Sequence, residues 1–170
     1  MLKKYISFIL LLLLVTLPAQ ATSRSITCLA VSITDGDTFT CLLENNKQIK
    51  IRLAEIDAPE KKQPFGKKSK QALARYIHKK KVKLVIFGYD RYQRTLATVY
   101  DQNDENINLK MVQSGMAWAY KKYVRNPVYI QAQQNAKRKE VGLWQDKNPI
   151  PPEQWRKQQR LLHENQYYAL

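Results

Sequence analysis

Between Ile26 and Ala54 the chain holds three short runs of strand-forming residues, separated by the turn residues Asp35-Gly36 and Glu44-Asn45-Asn46-Lys47. The third run is the clearest. Ile49, Ile51 and Leu53 alternate with Gln48, Lys50 and Arg52, the period of a strand with one buried face. Ile26 to Ile33 and Asp37 to Leu43 precede it, so the segment predicts a three-stranded antiparallel meander. Arg52 then falls on the face away from the core residues of its own strand. If Asp35-Gly36 is a two-residue hairpin, residue 34 faces residue 37. Cys28 and Cys41 then share a sheet face diagonally, at the outer edge of disulfide geometry, and a bulge or longer turn would bring them together.

Beyond the meander, Pro59 and Pro64 punctuate a lysine-rich loop. Lys67 to Lys80 reads as a helix with a narrow apolar stripe of Ala72, Leu73, Tyr76 and Ile77. Val82 to Phe87 and Thr95 to Tyr100 read as strands joined by the polar loop Gly88 to Arg94. Ile107 to Ser114 predicts a short helix stopped at Gly115, and Asn126-Pro127 opens another that runs to about Lys139. Five short strands must close on themselves to hide their edges. The predicted fold class is therefore α+β, mainly β: a five-stranded barrel with about three helices packed outside.

The two ends read differently. Lys3 and Lys4, the apolar run Ile6 to Leu17 and the small-residue site Ala19-Gln20-Ala21 have the order of a secretory signal peptide. The apolar run falls short of the roughly 20 residues that a membrane span needs. The expected organisation is a signal peptide over 1–21, a barrel domain over 22–147 and a polar, proline-containing extension over 148–170, with Trp155 as a candidate anchor. The product is expected to be exported, to a periplasm or out of the cell. It is expected to be a monomer with no stable membrane insertion after cleavage. Export permits a disulfide between Cys28 and Cys41, the only cysteines.

The formal charge is +15, and much of it is clustered at Lys61-Lys62, Lys67-Lys68, Lys70, Lys79 to Lys81 and Lys83. Such a field attracts polyanions: nucleic acid, anionic lipid or acidic polysaccharide. Charge alone does not choose among them. Set into this surface are Asp37 in Thr34-Asp35-Gly36-Asp37-Thr38, then Arg52, Asp57 and Glu60 in Ile51 to Glu60, then Arg94. Carboxylates bind a hard cation or take a proton from water, and guanidinium forks grip phosphate. Pro59 holds Ala58 extended and offers its carbonyl as a further oxygen. Asp35 reads as the turn former or a partner of Asp37.

These segments, with Asp90-Arg91-Tyr92-Gln93-Arg94-Thr95-Leu96-Ala97, resemble the signature segments of the staphylococcal nuclease family. The likeness covers roughly residues 26 to 146 and includes Gly115-Met116-Ala117 and Gly142-Leu143-Trp144. It implies an OB-fold barrel and Ca²⁺-dependent hydrolysis of DNA and/or RNA with low sequence specificity, leaving 3′-phosphates. It implies metal binding by Asp37, Asp57 and the main-chain oxygen of Ala58, with Glu60 as general base. Arg52 and Arg94 would stabilise phosphate charge, while Arg91, Tyr92 and Tyr120 or Tyr123 would contact substrate. The chain departs from the family's habit at Ala58, often threonine, and at Gln93, commonly glycine, where loop geometry is expected to change.

His78 and His163, the only histidines, have neither metal-ligand nor dyad spacing, which argues against mechanisms that spend histidine. There is no glycine-rich phosphate loop, and two cysteines cannot build a zinc finger. The alternatives are a non-catalytic nucleic-acid-binding OB-fold module and a basic envelope protein. The first would be expected to lose its carboxylates, which this chain keeps.

Overall fold

The structure, a computed structural model, describes residues 24–167; the expected signal peptide lies outside them. Strands β1 (Arg24–Ile33), β2 (Thr38–Leu42), β3 (Gln48–Leu53), β5 (Lys81–Tyr89) and β6 (Thr95–Tyr100) close a barrel in the order β1-β2-β3-β6-β5. All neighbours are antiparallel except β3 and β6, which run parallel from Ile51 opposite Thr95 to Leu53 opposite Ala97. This is the five-stranded barrel that the strand pattern predicts, and it is consistent with the OB fold that the resemblance implies. Phe39, Ile51, Leu53, Leu84, Ala97 and Val99 are fully buried in it. Each large apolar side chain among them stabilises the fold by roughly 1.5–3 kcal/mol.

The first hairpin is longer than expected. Ile33 pairs with Phe39, and the Thr34 amide donates to the Thr38 carbonyl at 2.9 Å, so residue 34 does not face 37. The Asp35 carboxylate accepts the Asp37 amide at 3.0 Å, an Asx-type turn that competes with the two-residue hairpin. Between Ala30 and Ser32 a bulge shifts the register again, placing Cys41 opposite Ala30. Cys28 and Cys41 remain diagonal, yet their Cα atoms are 5.8 Å apart and a disulfide joins them. The extra twist at a bulge draws such diagonals together.

Helices α1 (Gly66–Ile77), α2 (Ile107–Gln113) and α3 (Pro127–Arg138) pack outside the barrel, and α4 (Pro152–Tyr167) meets its rim through Arg156. Asn106 and Asn126 cap α2 and α3, accepting the Leu109 and Val128 amides at 3.0 Å each. Helix α1 ends three residues before Lys80. There the Lys79 and Lys80 backbones pair with Ala30 of β1, and Lys79 turns left-handed. Two features have no counterpart in the strand and helix patterns of the sequence. One is a small antiparallel pair, β4 (Ile56–Asp57) with β7 (Trp118–Ala119). The other is α4, which occupies most of the polar extension.

Candidate active site

The site is built where β2, β3 and β4 end on one rim. Asp37 lies just before β2, held by its turn; Arg52 sits on β3 opposite Thr38; Asp57 lies in β4 opposite Trp118. Arg52 is 8% exposed although it lies on the face away from the core residues of its own strand. The outer barrel face is covered here, and the guanidinium is buried between two carboxylates. Its Nη2 is 3.3 Å from Asp37 Oδ2 and 3.2 Å from Asp57 Oδ1, and Nη1 donates to the Leu53 carbonyl at 2.5 Å. Asp37 Oδ2 also accepts the Ala58 amide at 2.7 Å, and Oδ1 accepts the Thr38 hydroxyl at 3.0 Å. Ala58 is buried, and what it offers Asp37 is its N–H.

Two close approaches pin this arrangement. A Cβ on Gly36 would lie 1.8 Å from Ser69 Oγ of α1, so only glycine lets the Asp37 turn sit against that helix. A Cβ on Gly66 would lie 1.9 Å from the Glu60 carbonyl. The Glu60 loop is closed further by the buried Gln63, whose Oε1 accepts the Glu60 amide at 3.1 Å. Gln63 Nε2 donates to the Ile150 carbonyl at 2.6 Å, tying the loop to the root of α4.

Arg94 reaches the rim from the other side. Its Nη1 donates to Thr38 Oγ1 at 3.2 Å, so Thr38 links Arg94 to Asp37. Asp90 holds it through Nε at 2.7 Å and through its amide at 2.9 Å. Gln93 occupies the left-handed region (φ 60), which closes the turn despite the missing glycine. The exposed Tyr92 ring is flanked by Arg91 at 4.8 Å and Arg94 at 5.5 Å. Tyr120 and Tyr123 meet edge to face at 4.8 Å. The loop that carries them is anchored by Glu55: its carbonyl accepts the Tyr120 amide at 2.8 Å, and its carboxylate accepts the amides of Arg125 and Asn126. Burial raises the Tyr120 phenol, and the charges of Asp57 and Glu153 add to the rise. Tyr123 is largely exposed.

One residue at the site carries no signal in the sequence. Arg156, from the second turn of α4, donates through Nη2 to Asp57 Oδ2 at 2.9 Å and through Nη1 to Asp57 Oδ1 at 3.2 Å. The same Nη1 donates to Glu60 Oε1 at 2.7 Å. Burial works against its charge, but the bonds to Asp57 and Glu60 prevail and raise it. No motif marks this arginine; the only hint nearby is Trp155, half-buried beside it.

Two carboxyls at the site are pushed up from their ordinary range. Burial, then the negative charge of Asp37, pushes the Asp35 carboxyl up to about 6. Burial raises Asp57 as well, against the pull of the Arg156 hydrogen bonds, and Asp37 adds to the rise. Among the described residues no three carboxylate, imidazole or thiolate groups converge into a closed metal cage. The oxygen donors of Asp37 and Asp57, both within 3.3 Å of one guanidinium nitrogen, still suit a hard cation completed by water and phosphate.

A closed OB-type barrel that brings carboxylates and guanidiniums together on one rim is the framework of a phosphodiester hydrolase. The staphylococcal nuclease homologue family matches over residues 50–146. An uncharacterized endonuclease of Haemophilus influenzae is 56% identical over 151 residues, covering 89% of this chain and 84% of that protein. A micrococcal nuclease of Shigella flexneri is 39% identical over 155 residues, covering 85% and 87%. An uncharacterized endonuclease of Escherichia coli O157:H7 is 40% identical over 126 residues, covering 74% and 82%. The chain belongs to the staphylococcal nuclease family.

Proposed function

We propose that this nuclease is a Ca²⁺-dependent phosphodiesterase that cuts DNA and/or RNA with little sequence preference, after export from the cytoplasm. The observation that supports this best is the grouping of Asp37 and Asp57 around Arg52, with Glu60 joined to Asp57 through Arg156 and Arg94 joined to Asp37 through Thr38. Asp37, Asp57 and the Ala58 main-chain oxygen would hold the ion. Bound there, Ca²⁺ supplies positive charge against the phosphate and a seat for water.

The protein's own residues do the rest. Glu60 takes a proton from the water that attacks phosphorus. An O–P bond forms, the bond to the 5′ oxygen breaks, and that oxygen takes a proton from solvent. Charge building on the phosphate oxygens is met by the forks of Arg52 and Arg94. Tyr92 and Tyr120 offer ring faces to neighbouring bases, which every base can use, so preference stays weak. The basic surface draws the substrate in, and binding is expected to weaken steeply with salt.

The test is plasmid DNA and RNA incubated with the protein in Ca²⁺ and then with chelator. Cleavage that stops on chelation, and in Glu60→Gln, supports the reading. Cleavage indifferent to both overturns it.

A further inference from the structure

Arg156 holds the same carboxylate oxygens that a cation at this site would need. Its fork engages both oxygens of Asp57 and one of Glu60, the proposed ligand and the proposed base. A guanidinium so placed neutralises the carboxylates and fills the space beside them. With Arg52 also on Asp57 Oδ1, a divalent ion would compete with two guanidiniums for that oxygen, and like charges so close repel. We propose that α4 is a tethered competitor for the metal: Arg156 closes the site at rest, and a divalent cation enters only as Arg156 withdraws from Asp57 and Glu60. This rests on the reading of Asp37 and Asp57 as cation ligands and adds a mode of control over them.

Two further observations support the tether. Gln63 bonds both the Glu60 amide and the Ile150 carbonyl, so the root of α4 is fastened to the loop that carries the base. A helix held at its root keeps Arg156 at high local concentration when it lets go, so competition persists. Beside the contact lies an open cleft of about 350 Å³ lined by Glu60, Lys61, Lys62, Arg156, Gln159 and Arg160. Lys61, Lys62 and Arg160 line it with Arg156, a cluster of like charge that an incoming nucleic-acid phosphate would neutralise.

The test is calorimetric titration of Ca²⁺ into the full chain without nucleic acid, for wild type, Arg156→Gln and Arg156→Lys, with Tb³⁺ luminescence as a second probe. Arg156→Gln is expected to bind Ca²⁺ about 10-fold more tightly or better, the weight of one charge-assisted hydrogen bond. Arg156→Lys, which keeps charge but loses the fork, is expected to fall between. In wild type, hydrogen exchange of the first turns of α4 is expected to quicken when Ca²⁺ is added. Affinity unchanged or weaker in Arg156→Gln, or α4 protection indifferent to Ca²⁺, overturns the proposal. If wild type cleaves plasmid only with Ca²⁺ while these readouts stay flat, only the competitor idea falls. If no variant binds Ca²⁺ and cleavage survives chelation, the calcium reading falls with it.

Discussion

Asp90 carries Arg94: its carboxylate accepts the Arg94 side chain at 2.7 Å and the Arg94 amide at 2.9 Å, so one residue sets both the turn and the guanidinium. Burial works to raise the Asp90 carboxyl, but the bonds from Arg94 and the Tyr92 amide outweigh it and hold it below the usual range. A lowered folded value means the contribution is fully present above the unfolded value near pH 3.9 and lost as pH falls through the folded one. The loop is therefore expected to loosen only below about pH 4, visible as loss of amide protection at Tyr92 and Arg94. Asp90→Ala should loosen it at neutral pH and lower kcat/KM about 10-fold through a misplaced Arg94.

Arg52 is structural and chemical at once. It is the buried counter-charge that Asp37 and Asp57 share, so Arg52→Ala should cost about 3–5 kcal/mol by leaving buried Asp37 without an ion-pair partner, while Asp57 keeps Arg156. Denaturant unfolding measures this. Arg52→Lys keeps the charge and should recover much of that stability, yet it lacks the fork. Its kcat should still fall about 10²-fold. Equal stability of Arg52→Ala and wild type would show that Arg52 is not the counter-charge that holds the two aspartates.

Much of the barrel was legible because short alternating strands leave little choice of closure: Gln48 to Leu53 announces its buried face residue by residue. The same alternation puts Arg52 on the opposite face and does not show that it is buried. It predicts which way a side chain points from its strand, and it is silent on what later covers that face. The cover comes from β4, β7 and α4, elements of two residues or of plain polar composition. The Asp35 turn departs from the simple hairpin for a local reason, since an aspartate side chain can bond its own backbone and lengthen the turn. Arg156 was illegible because its meaning lies in a contact across 99 positions of sequence. A lone arginine on a polar helix carries no spacing signal.

The disulfide offers a stability prediction independent of the site. Cys28 and Cys41 are separated by 13 positions, a loop whose closure is worth about 3 kcal/mol in chain entropy. Reduction, or the double change Cys28→Ser with Cys41→Ser, should lower the unfolding free energy by about that amount. Both positions are buried in the barrel, so the serine pair should suffer more than the reduced protein.

Gln93 sits at φ 60, where a side chain with a Cβ is strained by roughly 1–2 kcal/mol. Glycine there relieves the strain but costs about 0.5–1 kcal/mol in unfolded-chain entropy. Gln93→Gly should therefore stabilise the protein by about 0.5–1 kcal/mol, read as a rise in denaturant midpoint at constant slope. The turn is already closed by the Asp90 carbonyl, which accepts the Gln93 amide at 3.0 Å, and by the Asp90 carboxylate. Arg94 should consequently stay where it is, and kcat/KM should hardly move. A large change in rate with no change in stability would mean that Gln93 acts on the substrate rather than on the backbone.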